Sequence, residues 1–308
     1  MFTGRNQSTI AAGLCCAILF WGANNTAVKY LVQFWPPVWI ACSRMWLVGA
    51  IFYVLLRRTD WFGPTHRLTP ELRRSLWRRA SLSLAVYVVA FTVSLRFTSA
   101  SHVALYLSTA PVWALLLEGG PRPTLDSLRR YGAAALALGG VGALFGPKLM
   151  GSGGDWRGDA LALLASFLWM CYGRHCRVLA SAMSGAEITA STMWRAAAWL
   201  TPAALWEVAQ GGLTVSYGML GIHAYCTVFG GVISFALYNN ALRHWPVSQV
   251  LLFSNFIPAS TMVWAWLLLG EPVTPTFWPA MLLVLAGVAL GQVRRAPPAS
   301  APCPAASE

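Results

Sequence analysis

The chain has 308 residues, of which 57% are hydrophobic and only 10% are charged. A soluble domain carries about 25% charged residues, so this composition excludes an ordinary water-soluble protein. The net charge of +12 is accounted for by basic residues on one side of predicted membrane helices, and it does not indicate nucleic-acid binding.

Ten apolar stretches are each long enough to cross a bilayer, which takes about 20 residues. Lipid-exposed strands cannot satisfy their backbone groups, so each stretch is predicted to be a helix. The motif Thr69-Pro70-Glu71 predicts a short helix that runs into the third span, and Thr274-Pro275 predicts a similar start for the tenth. The predicted spans are residues 10–32, 37–56, 80–97, 101–117, 131–149, 158–178, 187–208, 216–242, 248–269 and 275–293.

Basic residues lie mostly on one side of these spans if the N-terminus is cytoplasmic. The stretch 57–79 alone holds seven arginines, whereas the opposite loops hold little beyond Lys148 and Arg157. Because positive residues favour the cytoplasmic side, we predict a multi-pass protein of the inner or plasma membrane with both termini in the cytoplasm.

The chain also repeats itself. Residues 95–143 align with residues 242–290 without a gap, for example Pro111 with Pro258 and Gly140 with Gly287. Five spans per half is an odd number, so the second copy would cross the membrane in the opposite sense. We therefore predict an all-α polytopic protein of ten transmembrane helices in two inverted five-helix repeats, 1–149 and 158–295. A linker at 150–157 would join them, and a disordered cytoplasmic tail would occupy 296–308.

Several motifs resemble those of the drug/metabolite transporter superfamily, in its EamA-like branch. They are Phe20-Trp21-Gly22-Ala23-Asn24 with Lys29, Ser99-Ala100-Ser101 through Ala110-Pro111-Val112, Gly158-Asp159-Ala160-Leu161-Ala162-Leu163, Ile257-Pro258-Ala259, Leu269-Gly270-Glu271 and Leu285-Ala286-Gly287-Val288. The resemblance implies an exporter or exchanger of small metabolites that works by alternating access. The aromatic and arginine residues favour amino acids or related compounds as substrates.

Charged and polar residues inside spans are the candidates for function, because they are costly in lipid and usually face the bundle interior. Arg44 and Arg195 either bind an anionic substrate group or form internal contacts. Glu118 and Glu271 either exchange a proton or cap helix ends. Pro111 and Pro258 either mark a central site or only kink their helices. The substrate-binding candidates are Asn24, Asn25, Arg44, His102, Tyr106, Trp169, Tyr172, Arg195, Tyr238, Asn239, Gln249 and Asn255.

Other function classes find less support. No nucleophile elbow and no His-Glu-x-x-His motif occurs, so we expect no enzyme. The seven cysteines show no metal-ligand spacing, and we expect no metal or other cofactor. A scaffold or sensor without transport stays open as an alternative, and an intramembrane enzyme is a weaker one. The expected partners are a small-molecule substrate and the lipid bilayer. A monomer is the default, and a homodimer stays open.

Overall fold

The computed structural model describes residues 7–62, 66, 68–117, 125–150, 155–245, 250 and 253–292. These residues form helices joined by short connections, with no strand among them. The helices are α1 (Gln7–Leu31), α2 (Pro37–Arg58), α3 (Pro70–Phe97), α4 (Ala100–Leu107), α5 (Ala110–Leu117), α6 (Leu125–Leu149), α7 (Trp156–Leu179), α8 (Gly185–Gly211), α9 (217–244), α10 (Ile257–Leu269) and α11 (Phe277–Gln292).

Several of these helices have the length and composition of membrane spans. Among the described residues, five candidates satisfy both criteria: α1, α2, α3, the pair α4–α5, and Tyr217–Ala241 within α9. Helices α6, α7 and α8 are also long, with 25, 24 and 27 residues. At 1.5 Å per residue each of them exceeds the 30 Å hydrocarbon core of a bilayer.

Helix α3 begins where its sequence predicts. The hydroxyl of Thr69 accepts a hydrogen bond from the amide of Leu72 and caps the helix. The helix then passes through a π-helical turn at Leu76–Ala80 and continues to Phe97. The prediction for α11 is displaced by two residues. It begins at Phe277, whose amide donates to the carbonyl of Thr274, so Thr274 lies in the preceding turn.

The fourth predicted span is interrupted in its middle. Helix α4 ends at Leu107, a turn follows at 108–109, and α5 begins at Ala110. In the second half a turn at 255–256 precedes α10 in the same way. Pro111 and Pro258 each occupy the second residue of the helix after the turn, where a missing amide hydrogen costs no helical bond.

The helices pack in reciprocal pairs. If α1, α2, α3, α4–α5 and α6 are matched with α7, α8, α9, α10 and α11, then α2 packs on its own match α8, and α6 packs on its own match α11. The packing of α3 on α7 is matched by that of α9 on α1, and the packing of α4–α5 on α7 is matched by that of α10 on α1. Exchanging the two sets of helices therefore reproduces the principal contacts.

The α6–α11 contact shows this reciprocity at single residues. A Cβ atom at Gly140 would lie 2.6 Å from the carbonyl oxygen of Ala280, and one at Gly287 would lie 2.5 Å from that of Ala133. Gly140 is the repeat partner of Gly287, and Ala133 is that of Ala280. Only glycine permits so close an approach of two helix backbones. We call this contact the glycine seam.

Candidate functional site

Arg44, on α2, is a half-buried arginine in the interior of the bundle. Its Nη2 donates to the side-chain oxygen of Asn24 at 2.8 Å and to the carbonyl oxygen of Cys226 at 3.3 Å. Its Nε is buried and has no hydrogen-bond partner. In the residues that the structure describes, no carboxylate lies within ion-pair distance of Arg44. The guanidinium is therefore an uncompensated positive charge with unused donors.

The backbone of α9 is adapted to this arginine. Residues Cys226–Ile233 form a π-helix, an element that is rare and often found at functional sites. Cys226 presents its carbonyl oxygen to Arg44, and Gly230 presents its own to the indole of Trp21 at 3.0 Å. A side chain at Gly230 would collide with Asn24, so this glycine lets α1 and α9 approach each other beside the arginine.

Aromatic side chains continue from Arg44 towards α7. Tyr87 on α3 lies near Arg44. Its ring centroid lies 4.9 Å from that of Trp169, and Trp169 lies 5.4 Å from Tyr172. Tyr87 and Trp169 both keep part of their surface accessible although they lie inside the bundle. We call Asn24, Arg44, Tyr87, Trp169 and Tyr172 the central cluster.

Residues of the central cluster take part in two hydrogen bonds that lie at corresponding places in the two halves. Ser43, Met45 and Trp46 reappear as Ser191, Met193 and Trp194 at an offset of 148 residues, which places Thr192 opposite Arg44. The same offset places Tyr172 opposite Asn24. The Asn24–Arg44 bond of the first half thus corresponds to the 3.0 Å bond between the hydroxyls of Tyr172 and Thr192. The bond in the first half includes the charged guanidinium of Arg44, and the bond in the second half joins two neutral hydroxyls.

Next to Arg44, the hydroxyl of Ser43 lies 2.8 Å from Nε2 of His223 on α9. His223 is buried and its ring packs against Trp35 at 5.4 Å. The sequence gave no reason to single out either residue, because a serine and a histidine in apolar helices are common packing residues. Their pairing across the halves is a feature of the tertiary structure.

Arg195, the second predicted intramembrane arginine, has a different environment. It is buried on α8, donates to the carbonyl of Ser191 at 2.8 Å, and lies over the rings of Trp194 at 4.3 Å and Trp77 at 5.6 Å. Its Nε is also without a partner. These contacts match the internal-contact alternative for Arg195, since a guanidinium over an aromatic ring is attracted to it.

The remaining candidates that the structure describes have contacts outside the central cluster. Asn25 donates to Thr261 on α10 at 3.1 Å. The ring of His102 lies parallel to that of Phe277, 6.2 Å away, at a small cleft. Tyr238 packs on Trp21, 5.3 Å away, and Asn239 packs near Gly185. Asn255 is half-buried in the turn before α10. Glu118 and Gln249 lie outside the described residues.

Three charged side chains meet at one end of the bundle, where α3 is followed by α4. The ammonium of Lys29 donates to the carbonyls of Leu95 at 2.7 Å and Thr98 at 2.9 Å. The carboxylate of Glu271 accepts from the amide of Ala100 at 3.1 Å and 3.2 Å. A cation thus lies at the end of one helix and an anion at the start of the next, as the helix dipoles favour.

The third charge is Asp159, which is fully buried in the first turn of α7. It accepts hydrogen bonds from the hydroxyl of Thr98 at 2.5 Å and from that of Tyr106 at 2.9 Å. Tyr106 was predicted to contact substrate, and in this conformation its hydroxyl is bonded to Asp159. We call Lys29, Asp159 and Glu271 the outer charge cluster.

Two features make this end of the bundle a candidate for conformational control. Burial raises the pKa of the Glu271 carboxyl above its ordinary value, and the amide of Ala100 and the charge of Lys29 offset part of that rise. The carboxylate of Glu207 on α8 also accepts from the amides of Val38 and Trp39 at the start of α2, at 2.8 Å and 3.1 Å. Contacts between the halves at this end therefore include carboxylates on helix N-termini.

Comparison with known proteins now identifies the fold. The model of the EamA-like transporter family matches residues 8–144 and, a second time, residues 156–291. This chain belongs to the EamA-like transporter family. The resemblance drawn from the sequence motifs is thereby confirmed, and the protein is a multi-pass, all-helical membrane protein of a transporter family.

Two relatives extend over most of the chain. One is the "Uncharacterized transporter YyaM" of Bacillus subtilis (strain 168), 23% identical over 288 residues, which are 88% of this chain and 89% of the relative. Another is the "Probable amino-acid metabolite efflux pump" of Escherichia coli (strain K12), 22% identical over 88% of this chain and 90% of the relative.

A solved structure, described only as "Crystal structure of protein", is also similar to this EamA-like chain. It superposes with a TM-score of 0.60 at 16% identity and covers 93% of this chain and 98% of its own. At this identity the similarity establishes the fold and says nothing about the substrate.

Proposed function

We propose that this protein is a secondary transporter, an exporter or exchanger of small metabolites such as amino acids, that works by alternating access in the inner or plasma membrane. In this proposal ten spans form two inverted five-helix repeats, 1–149 and 158–295, and both termini are cytoplasmic. The observation that carries it is the central cluster, where helices of both halves place polar and aromatic groups around an uncompensated cation.

The reciprocal packing supports the inverted repeat. Equivalent residues on equivalent helices make the same close contact twice at the glycine seam, which is the property of an interface with two-fold symmetry. Transporters built from inverted repeats place their substrate site near the bilayer midplane at the interface of the repeats. The central cluster lies at such an interface, since its residues come from α1, α2, α3 and α7.

In the proposed orientation the outer charge cluster faces the non-cytoplasmic side. Its contacts connect α1, α7 and the loop after α10 with the junction of α3 and α4. Opening on this side requires that the bonds of Asp159 and Glu271 break, because these two carboxylates bind residues of the other half. The bonds of Lys29 join helices of the first half alone. The interrupted helices at 108–109 and 255–256 supply places where each half bends, which is the hinge role proposed for Pro111 and Pro258.

A relative's name supports the substrate range. The E. coli relative is described as an amino-acid metabolite efflux pump, and an internal arginine beside aromatic rings has the chemistry to bind such compounds. A scaffold or sensor without transport needs no polar site at the interface of the halves, so this alternative does not explain the central cluster.

The test is transport by the purified protein in liposomes. Vesicles containing the protein are loaded with a mixed extract of small metabolites, and efflux is followed by mass spectrometry under proton, sodium and exchange gradients. We expect selective loss of a subset of compounds, compared with vesicles that contain heat-inactivated protein. If no compound leaves the vesicles faster than in this control under any gradient, the transport proposal is wrong.

A further inference from the structure

We infer that Arg44 binds the carboxylate of a small aromatic metabolite, and that Tyr87 and Trp169 contact the ring of that metabolite. This inference deepens the proposed transport function and rests on it. It assigns a substrate class to the central cluster: a planar or amphipathic body that carries one anionic group.

The charge balance at Arg44 is the first argument. A charged side chain inside a membrane span is costly, and it usually faces the bundle interior and pairs with another charge or with backbone carbonyls. The hydrogen-bond partners of Arg44 among the described residues are a neutral amide oxygen and a backbone carbonyl, and both accept from the same atom, Nη2. In the described part of the chain, no carboxylate is within ion-pair distance. The described residues therefore leave this charge available to a bound anion.

The donor geometry is the second argument. A guanidinium carries five N–H donors in a planar fork, and a carboxylate that accepts from two nitrogens needs Nη2 together with Nε or Nη1. At Arg44 both hydrogens of Nη2 are donated to Asn24 and Cys226, so a carboxylate would accept a single bond from Nε or Nη1. With Nη2 held by Asn24 and Cys226, the Nε position is buried and unsatisfied. An unsatisfied buried donor is costly, and a carboxylate oxygen that accepts from Nε would remove that cost. The fixed Nη2 holds the rest of the fork in one orientation.

The repeat supplies the third argument. At the position of Arg44 the second half has Thr192, whose hydroxyl is bonded to Tyr172 and to the carbonyls of Ile188 and Thr189. A neutral pair therefore suffices to pack this crossing of helices. The arginine adds a charge that the architecture does not require, and a packing role leaves that charge unexplained.

The aromatic part of the site follows from position. Tyr87 lies near Arg44 and packs on Trp169. Both residues keep part of their surface accessible, whereas Phe91, which stacks on Tyr87, is buried. An aromatic body bound by its carboxylate to Arg44 thus has rings to pack against, and such contacts favour offset or edge-to-face geometries.

The first experiment changes the ligand and leaves the protein intact. Counterflow of labelled phenylalanine is measured in vesicles that contain the wild-type protein, with unlabelled phenylalanine, phenylalaninamide or phenylpropionate as competitors. Phenylpropionate has the carboxylate and the ring, and the amide lacks only the carboxylate. We expect phenylpropionate to compete, and phenylalaninamide to compete at least tenfold more weakly than phenylalanine. Equal competition by the amide overturns the inference.

The second experiment changes the arginine. Arg44→Gln removes the charge and Arg44→Lys keeps it without the fork, while Arg157→Gln, at an exposed position near the start of α7, is the matched control. We expect the glutamine variant to lose phenylalanine counterflow by at least tenfold, the lysine variant to recover part of it, and the control to match wild type. Thermal unfolding of each variant shows that it is folded. An Arg44→Gln variant that is folded and keeps wild-type counterflow overturns the inference.

The outcomes separate this inference from the transport proposal. If the wild-type protein moves compounds from the mixed metabolite extract but neither transports phenylalanine nor is inhibited by phenylpropionate, the substrate class is wrong and transport stands. If nothing in the extract moves, the proposed function itself fails and the inference fails with it.

Discussion

The glycine seam and the central cluster both allow the two halves to be compared residue by residue, and the halves have diverged to different degrees at these two places. At the seam, Gly140 and Gly287 repeat each other, and each faces the backbone of the other helix at nearly the same distance. In the central cluster, Arg44 has Thr192 as its counterpart and Asn24 has Tyr172. The repeat has thus been kept where two backbones touch, and it has been lost where a side chain faces the interior of the bundle.

This difference shows which contacts the architecture needs and which serve a ligand. A close backbone contact tolerates only one residue type on each side, because any Cβ atom would overlap a carbonyl oxygen. A polar pair inside the bundle requires only that its own donors and acceptors are satisfied. In the proposed function, asymmetry in the central cluster matches a substrate that is itself asymmetric.

The largest expected effect is at the seam. Replacing Gly140 with alanine places a methyl group 2.6 Å from the carbonyl of Ala280, and such overpacking costs about 1–3 kcal/mol. Gly139 is the matched control, because it is exposed and a Cβ there meets nothing within 4 Å. Gly139→Ala is expected to be neutral or stabilising by up to about 1 kcal/mol.

Thermal unfolding in detergent compares the two variants, together with Gly287→Ala. The symmetric contact predicts that Gly140→Ala and Gly287→Ala lower the melting temperature by similar amounts. A Gly140→Ala protein as stable as Gly139→Ala would show that the two helices do not approach each other as described.

The second prediction concerns a substitution that gives position 44 the same residue as its counterpart in the second half. Arg44→Thr restores the residue type of the second half and removes a charge that has no acid partner in the described structure. Removing an uncompensated internal cation lowers a desolvation cost, so we expect a melting temperature equal to or above that of wild type. A fall of several degrees would instead assign Arg44 a mainly structural role.

Much of the fold is predictable from the sequence, since apolar length and the repeat are local or linear signals. The predicted spans differ from the observed helices by a few residues at most of their described ends. For example, 37–56 is observed as Pro37–Arg58. The cap at Thr69 is also predictable, because it depends only on neighbours in the chain. The π-helix at Cys226–Ile233 is not, since its extra residue per turn leaves no mark in composition.

The candidate site is predictable only in part. Arg44 stands out because a charge in a span is costly, and Asn24 because an amide in lipid needs a partner. Tyr87 and His223 do not stand out, because tyrosine and histidine are compatible with ordinary packing and the sequence does not specify which helices meet. Tyr106 and His102 share a helix face in the sequence, yet one is bonded to Asp159 and the other lies at a separate cleft.

The third prediction compares local opening at residues 95–102 with local opening at the glycine seam. Lys29→Met keeps the length of the side chain and removes the donor that binds the carbonyls of Leu95 and Thr98. We expect amide hydrogen exchange to rise several-fold in residues 95–102, because local opening becomes less costly. Exchange in α6 and α11 should stay unchanged. A uniform rise across both regions would indicate global destabilisation and contradict a local role for Lys29.

The smallest effect is expected from Glu271→Gln, which keeps the acceptor for Ala100 and mimics the protonated acid. Because the pKa of Glu271 is raised, its carboxyl takes up a proton at a higher pH than a free glutamate does, and its charge is lost as the pH falls through that value. We expect wild-type transport to vary across the mildly acidic range and the variant to vary less. Identical pH profiles would remove Glu271 from the coupling candidates.

Lys29 and Glu271 bind the main chain of residues 95–100, and the side chains of that segment do not take part in these bonds. Substitutions at Leu95 or Ala100 therefore leave the charged groups their acceptor and donor. Among natural variants of this protein, the lysine and the glutamate should persist whichever apolar residue fills these two buried positions, with no compensating exchange between them. Methods that infer contacts from correlated substitutions would then miss this end of the bundle.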